Sequence, residues 1–294
     1  MALMLYRWLG VRLALAALGV ALTGCSSAGA SADADRPSVA AAFYPLAFVA
    51  DRVGGTEVQV ENLTTPGVEP HDLELTTSQV RELASADLVI YEKGFQPAVD
   101  EAVEQNASAQ VLEVTDIVSV ERGDPHVWLD PTRLAVITYA VADALTEVAP
   151  KYADRFHQRA DSLAAELDTL DQEFRGGLTD CARTVVVTSH DAFGYLADRY
   201  GLEMVGISGL APDAEPSPAR LRKIHQVIED AGVTTVFYER LVSPDVAQTL
   251  STDLGVSTAV LDPVEGLTGD TETEDYLTLM RANLEALKEA NGCR

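Results

Sequence analysis

The sequence predicts an α/β protein built on largely parallel sheets. Three observations predict it. Short strand-like runs alternate with helix-like runs from residue 38 onward. The alternation occurs twice, in similar order but without sequence repetition, on either side of one long amphipathic stretch at 150–177. Histidines and acids collect just past the strand-like runs, where parallel sheets hold their ligands.

The elements follow in order. "SVAAAFYPLAFVADRVGG" (38–55) reads as a strand running into a helix, and "EVQVENLT" (57–64) alternates like a strand. "TTSQVRELASA" (76–86) is a short helix opened by Thr/Ser caps, and "DLVIYEK" (87–93) a buried strand. "FQPAVDEAVEQN" (95–106) is helical, and "AQVLEVTD" (109–116) returns to strand. Asp130-Pro131 then opens a helix, Asp at the N-cap and Pro in the first turn. Leu134, Ile137, Val141, Leu145 and Val148 form its apolar stripe. Asp130 is therefore a cap, not a ligand.

The stretch from Pro150 to Gly176-Gly177 carries a second stripe: Tyr152, Phe156, Ala160, Leu163, Leu167, Leu170 and Phe174. At 1.5 Å per residue it spans roughly 37 Å, enough for a rigid spine between two halves. Beyond it the second half repeats the rhythm. Its strands are "ARTVVVTSH" (182–190), "LEMVGISG" (202–209), "VTTVFYE" (233–239) and "VSTAVLD" (256–262). Between them lie helices at 191–201, 217–232 and 243–255, and a last helix falls within 270–291.

Composition bounds the function. The chain has 294 residues and a formal charge of −25. So acidic a chain is a poor partner for nucleic acid, whose binding surfaces are basic. It suits a soluble protein that tolerates or attracts cations. The first 25 residues place Arg7 and Arg12 before an apolar run and end in Leu22-Thr23-Gly24-Cys25. That is a secretory signal with a lipobox-like ending, too short for a spanning helix. Cys25 is the expected lipidation site, and the Ser/Ala/Gly-rich residues after it are the expected tether. Attached acyl chains anchor a protein to a membrane. Two cysteines remain, Cys181 and Cys293; outside the cytosol an isolated pair is expected to be bonded, the alternatives being free thiols or metal ligation.

Five histidines are present. His157 and His225 fall on solvated helix faces and are read as structural. His71 lies in the turn "GVEPHDLE" after a strand, His126 in "GDPHVWLDP" between two Asp-Pro pairs, and His190 at the end of "TVVVTSH". Glu239 and Asp262 end two further strands. Three imidazoles and one or two carboxylates, all at sheet edges, suit a divalent metal, zinc above all. No Gly-rich phosphate loop and no HExxH motif occurs. Ser189-His190-Asp191 mimics a catalytic trio, but triad members meet in space rather than as chain neighbours.

"VEPHDLELTTSQVREL", "DPHVWLDP", "VTSHDAFGYLADRYGLE" and "AEPSPARL" together resemble the cluster A-I solute-binding lipoproteins of zinc and manganese ABC importers. The resemblance covers nearly the whole chain after the leader. It implies two lobes, each with a mainly parallel four-stranded sheet flanked by helices, joined by one long helix, with metal in the cleft. It divides the chain into a signal peptide (1–24), a tether (25–38), a first lobe (39–149), a spine (150–177) and a second lobe (178–294).

Carried over residue by residue, the resemblance implies metal ligation by His71, His126, His190 and Asp262, with Glu239 as the runner-up for the fourth place. It implies zinc as the cargo, manganese or ferrous iron as alternatives, and partners in an ABC permease and its ATPase. The protein is expected on the outer face of the bacterial cytoplasmic membrane, as a monomer and not an enzyme. Two alternatives use the same residues: a zinc hydrolase with Asp262 displaced by water, and an extracellular metal buffer or adhesin. Two features depart from the family pattern: no histidine lies between Phe95 and Pro125, and Gln96 replaces the usual Glu in "GFQPAV".

Overall fold

Apolar runs and helix caps divide the chain as the sequence predicts, in a computed structural model that describes residues 36–106, 110–121 and 123–294. The expected signal peptide, the Cys25 lipidation site and most of the tether lie outside the described residues. The first half contains β1 (Ser38–Ala41), α1 (Tyr44–Gly54), β2 (Gln59–Asn62), α2 (Thr77–Ser85), β3 (Leu88–Tyr91), α3 (Pro97–Asn106), β4 (Gln110–Glu113) and α4 (Pro131–Val148). α5 (Ala153–Gly177) follows. The second half contains β5 (Val185–Thr188), α6 (Gly194–Tyr200), β6 (Glu203–Gly206), α7 (Pro218–Ala231), β7 (Thr235–Tyr238), α8 (Asp245–Leu254), β8 (Ser257–Val260) and α9 (Tyr276–Asn291).

Both sheets are four-stranded and wholly parallel, in the orders β2-β1-β3-β4 and β6-β5-β7-β8. Each order reverses direction once, between the first and third strands of its half, β1 and β3 or β5 and β7. Loops leaving neighbouring strands there diverge and open a crevice at the carboxyl ends.

α5 begins at Ala153, because Pro150–Tyr152 forms a separate 3₁₀ turn. It buries Phe156, Ala160, Leu163, Leu167, Leu170 and Phe174, the predicted stripe apart from the half-buried Tyr152. Its polar flanks are fastened at both ends. Glu57 pairs with Arg155 and Arg159 on one side, and Arg281 makes a two-pronged contact with Glu173 on the other. The main core is continuous from α1 and β3 through α4 and α5 to Leu196 and α9, so both halves share it. A smaller core lies between β5, β7, α7 and α8. The structure joins Cys181 to Cys293 by a disulfide, tying the end of α9 to the approach to β5.

Asp130 caps α4 as predicted: its Oδ1 accepts from the Thr132 N–H at 2.9 Å. Arg199 also approaches it, at 3.3 Å. Replacing Asp130 by Ala is expected to cost about 1–2 kcal/mol, read by denaturant unfolding. One metal ion per chain should still bind.

Candidate metal centre

Each functional side chain leaves a carboxyl end through a stiffened turn. After β2 the chain enters a 3₁₀ turn at Pro70–Asp72, capped by Glu69, whose Oε1 accepts from the His71 N–H at 3.1 Å. Gln96 holds that turn from behind. Its Nε2 donates to Thr64 Oγ1 at 2.9 Å and to the Pro70 carbonyl at 3.3 Å. Gln96 is thus a buried tether for the His71 loop, a role that family comparison of position 96 did not suggest. The Phe95 ring meets the His71 imidazole edge-on, with centroids 4.6 Å apart.

The boxed segment after β4 shows why His126 is held so stiffly. Asp124 Oδ1 accepts both the His126 N–H, at 3.0 Å, and its ring Nδ1, at 2.7 Å. Trp128, fully buried, donates its indole N–H to the Pro263 carbonyl at 2.7 Å, and its own carbonyl accepts from Tyr276 at 2.6 Å. The His126 loop is therefore fastened to the loop after β8.

His190 follows β5 directly. Its Nδ1 meets Glu239 Oε1 at 2.6 Å, and the Ser189 hydroxyl bonds the same oxygen. Gly206 permits this packing, since a Cβ there would lie 2.7 Å from the His190 carbonyl carbon. Asp191 turns away and accepts from the Gly206 N–H at 2.7 Å, so Ser189, His190 and Asp191 form no relay.

The structure brings His71, His126 and His190 together and joins to them Glu265. His126 Nε2 lies 3.3 Å from His71 Nε2, 3.2 Å from His190 Nε2 and 3.0 Å from Glu265 Oε1. Glu265 Oε1 lies 3.6 Å from the Nε2 atoms of both His71 and His190. A tetrahedral zinc site with bonds near 2.1 Å has edges of about 3.4 Å, and these five separations bracket that value. Glu265 is 1% exposed, and among the described residues no group besides the facing imidazoles satisfies its oxygens. A buried carboxylate so placed, among converging ring nitrogens, has surroundings that a bound cation would satisfy.

At the fourth position the structure groups a different carboxylate from the one expected. Asp262, the carboxylate expected there, lies outside the cluster. Its Oδ1 accepts from the Val264 N–H at 2.8 Å, and its Oδ2 meets Arg240 Nε at 3.1 Å. Burial pushes its pKa up to about 6, against the pull of the Val264 N–H and Arg240. The turn it closes holds Val264 at φ 56°, a left-handed conformation rare for a β-branched residue. That turn swings Glu265 inward. Glu239, the runner-up, stands behind His190 as its Nδ1 partner rather than in the cluster. The available signal was a Glu enclosed by apolar neighbours in "PVEGL", five residues past β8. Strand-end reasoning stops at Asp262 and does not see a turn carry the next acid back.

Charge follows the geometry. Burial would lower the pKa of His190, but hydrogen bonds to Glu239 and Glu265 outweigh it and push the pKa up to about 10. His126 is likewise raised, burial being overcome by Asp124 and Glu265. Glu265 falls well below the usual carboxylate range: burial opposes, but hydrogen bonds from the three imidazoles prevail. The cluster attracts positive charge, supplied by protons or by a metal. His157 lies on a half-exposed face near Asp143, at 3.7 Å, and His225 lines a groove with α8; neither approaches the centre.

Two parallel sheets and a cluster of three imidazoles and a carboxylate, buried except for the partly exposed His71, define a two-lobed α/β protein with a group of donors that could hold a metal ion. The chain belongs to the family of the zinc-uptake complex component A, periplasmic (ZnuA), which matches residues 39–290. It is 32% identical over 276 residues to the zinc-binding lipoprotein AdcA of Streptococcus pneumoniae, covering 86% of this chain and 55% of that protein. The chain thus spans about half the length of the AdcA relatives it matches. It is 30% identical to the high-affinity zinc uptake system protein ZnuA of Bacillus subtilis, over 98% of both chains. Among solved structures, the Zn(II)-bound ZnuA-like domain of Streptococcus pneumoniae AdcA superposes with a TM-score of 0.77 at 33% identity, covering 87% of this chain and 99% of that one.

Proposed function

We propose that this chain captures zinc as cargo, on His71, His126, His190 and Glu265, and hands it to a membrane ABC permease. The observation that carries this reading is the set of four converging donor atoms, three of them on buried residues, with five separations close to the edge length of one tetrahedron. Three imidazoles with one carboxylate suit zinc better than manganese, which prefers oxygen donors. Asp124 behind His126 and Glu239 behind His190 fix the ring orientation and leave Nε2 to the metal, as carboxylate–histidine pairs do at zinc sites. Four protein donors fill a tetrahedral sphere and leave no place for an activated water, which favours a carrier over a hydrolase. The relatives named for zinc binding and zinc uptake support the same cargo. Lipidation at Cys25 would keep the carrier at the membrane where its permease sits.

The test is elemental analysis of protein purified without added metal, then calorimetric titration with zinc against manganese. One zinc per chain, not displaced by excess manganese, is expected. Equal or stronger manganese binding contradicts the cargo assignment, and absence of any stoichiometric metal contradicts the site.

A further inference from the structure

The motif "HDAFGYLADRYGLE" supplies His190, but its remaining residues form α6, and α6 reaches across to the other lobe's histidine loop. The buried Tyr195 places its hydroxyl between two backbone groups of the first lobe. It accepts from the Glu121 N–H at 2.7 Å and donates to the Asp124 carbonyl at 2.8 Å. Arg133 of α4 covers the Tyr195 ring at 4.4 Å and ion-pairs with Glu121 at 2.8 Å. One residue earlier, Gly194 leaves room for the Asp124 carboxylate. A Cβ there would lie 2.5 Å from Asp124 Oδ2. Asp124 is the residue whose other oxygen holds the His126 ring at Nδ1. The chain of contact therefore runs from α6 through Asp124 to His126. The same segment begins at His190, only five residues before Tyr195.

We propose that Tyr195 is a cross-lobe positioning residue for His126, and that α6 sets the placement of His126 and His190 together. Two metal-facing imidazoles from different lobes then share one support. A displacement of α6 would then loosen both at once. This inference rests on the zinc-carrier reading above and deepens it, by naming the element through which release is governed.

Tyr195→Phe removes the hydroxyl and keeps the ring and its Arg133 contact. Zinc dissociation, followed by transfer to a chromophoric chelator, is expected to be about tenfold faster, at the lower end of what loss of an outer support costs. Asp124→Asn should also speed dissociation. The double variant should dissociate no faster than the faster of the two single variants, because both act on one path. The visible spectrum of the cobalt-loaded protein should change in Tyr195→Phe, since the His126 ring is reoriented. Arg281→Gln, which breaks a spine contact far from the loop, serves as a control: it should lower stability and leave both dissociation and spectrum alone. An unchanged dissociation rate or spectrum in Tyr195→Phe, or additive effects with Asp124→Asn, overturns the positioning role while zinc binding by the parent protein still stands. A parent protein that binds no zinc overturns the carrier reading and this inference with it.

Discussion

Replacing Glu265 by Ala is expected to weaken zinc binding by more than the roughly 100-fold upper range of outer-shell changes. The substitution removes one of the four proposed donors and, among the described residues, the only carboxylate that faces all three ring nitrogens. It also leaves two buried imidazoles, both raised in pKa partly by Glu265, without that counter-charge. Asp262→Ala gives the comparison. It breaks the acceptor for the Val264 N–H and the contact with Arg240, so the turn that delivers Glu265 loosens. The expected loss is about 10-fold, an outer-shell effect, with one zinc per chain retained. Titration calorimetry of the two variants decides the matter. The reverse order, with Asp262→Ala the more damaging, would show that the fourth donor has been misassigned.

The second large effect is expected in pH. In the metal-free fold the His190 pKa is raised to about 10 and that of His126 is raised as well, so at neutral pH the cluster holds at least one proton that zinc must displace. Zinc affinity should therefore fall about tenfold per pH unit for each proton displaced as the solution is acidified. Calorimetry in buffers of different ionisation enthalpy should show proton release on binding at pH 7. Metal-free stability should run the opposite way. A histidine raised by its partners stabilises the fold fully below its ordinary value of 6.5, and that contribution is lost as pH rises through about 10. Between these values the metal-free protein should lose stability while zinc affinity climbs. Binding that is indifferent to pH and releases no proton contradicts the charge assignment.

The fold was legible because its signals are local. The Asp130-Pro131 cap, the stripe from Phe156 to Phe174 and the buried run at 88–91 each specify an element from neighbours in the chain. The three histidines were legible for a related reason: each sits in or next to a turn whose position is set by the strand before it. The carboxylate that joins them in the cluster was not. Which of two nearby acids enters the cluster depends on the dihedral angles of Val264 and on Arg240 claiming Asp262 from another strand. Neither fact has a periodicity or a spacing. The same holds for Glu239, whose strand-end position was read correctly but whose partner, His190 Nδ1, is fixed only by packing between β5 and β7. The supports supplied by Gln96, Trp128 and Tyr195 were hidden because all three act through backbone groups distant in sequence.

Anomalous diffraction at the zinc edge, on crystals of the zinc-loaded protein, tests the central assignment most directly. The expected result is one ion bonded to the Nε2 atoms of His71, His126 and His190 and to Glu265, with Asp124 and Glu239 behind the rings and no water on the metal. An ion bound elsewhere, or one ligated by Asp262 or Glu239 in place of Glu265, or one carrying a bound water, would contradict it.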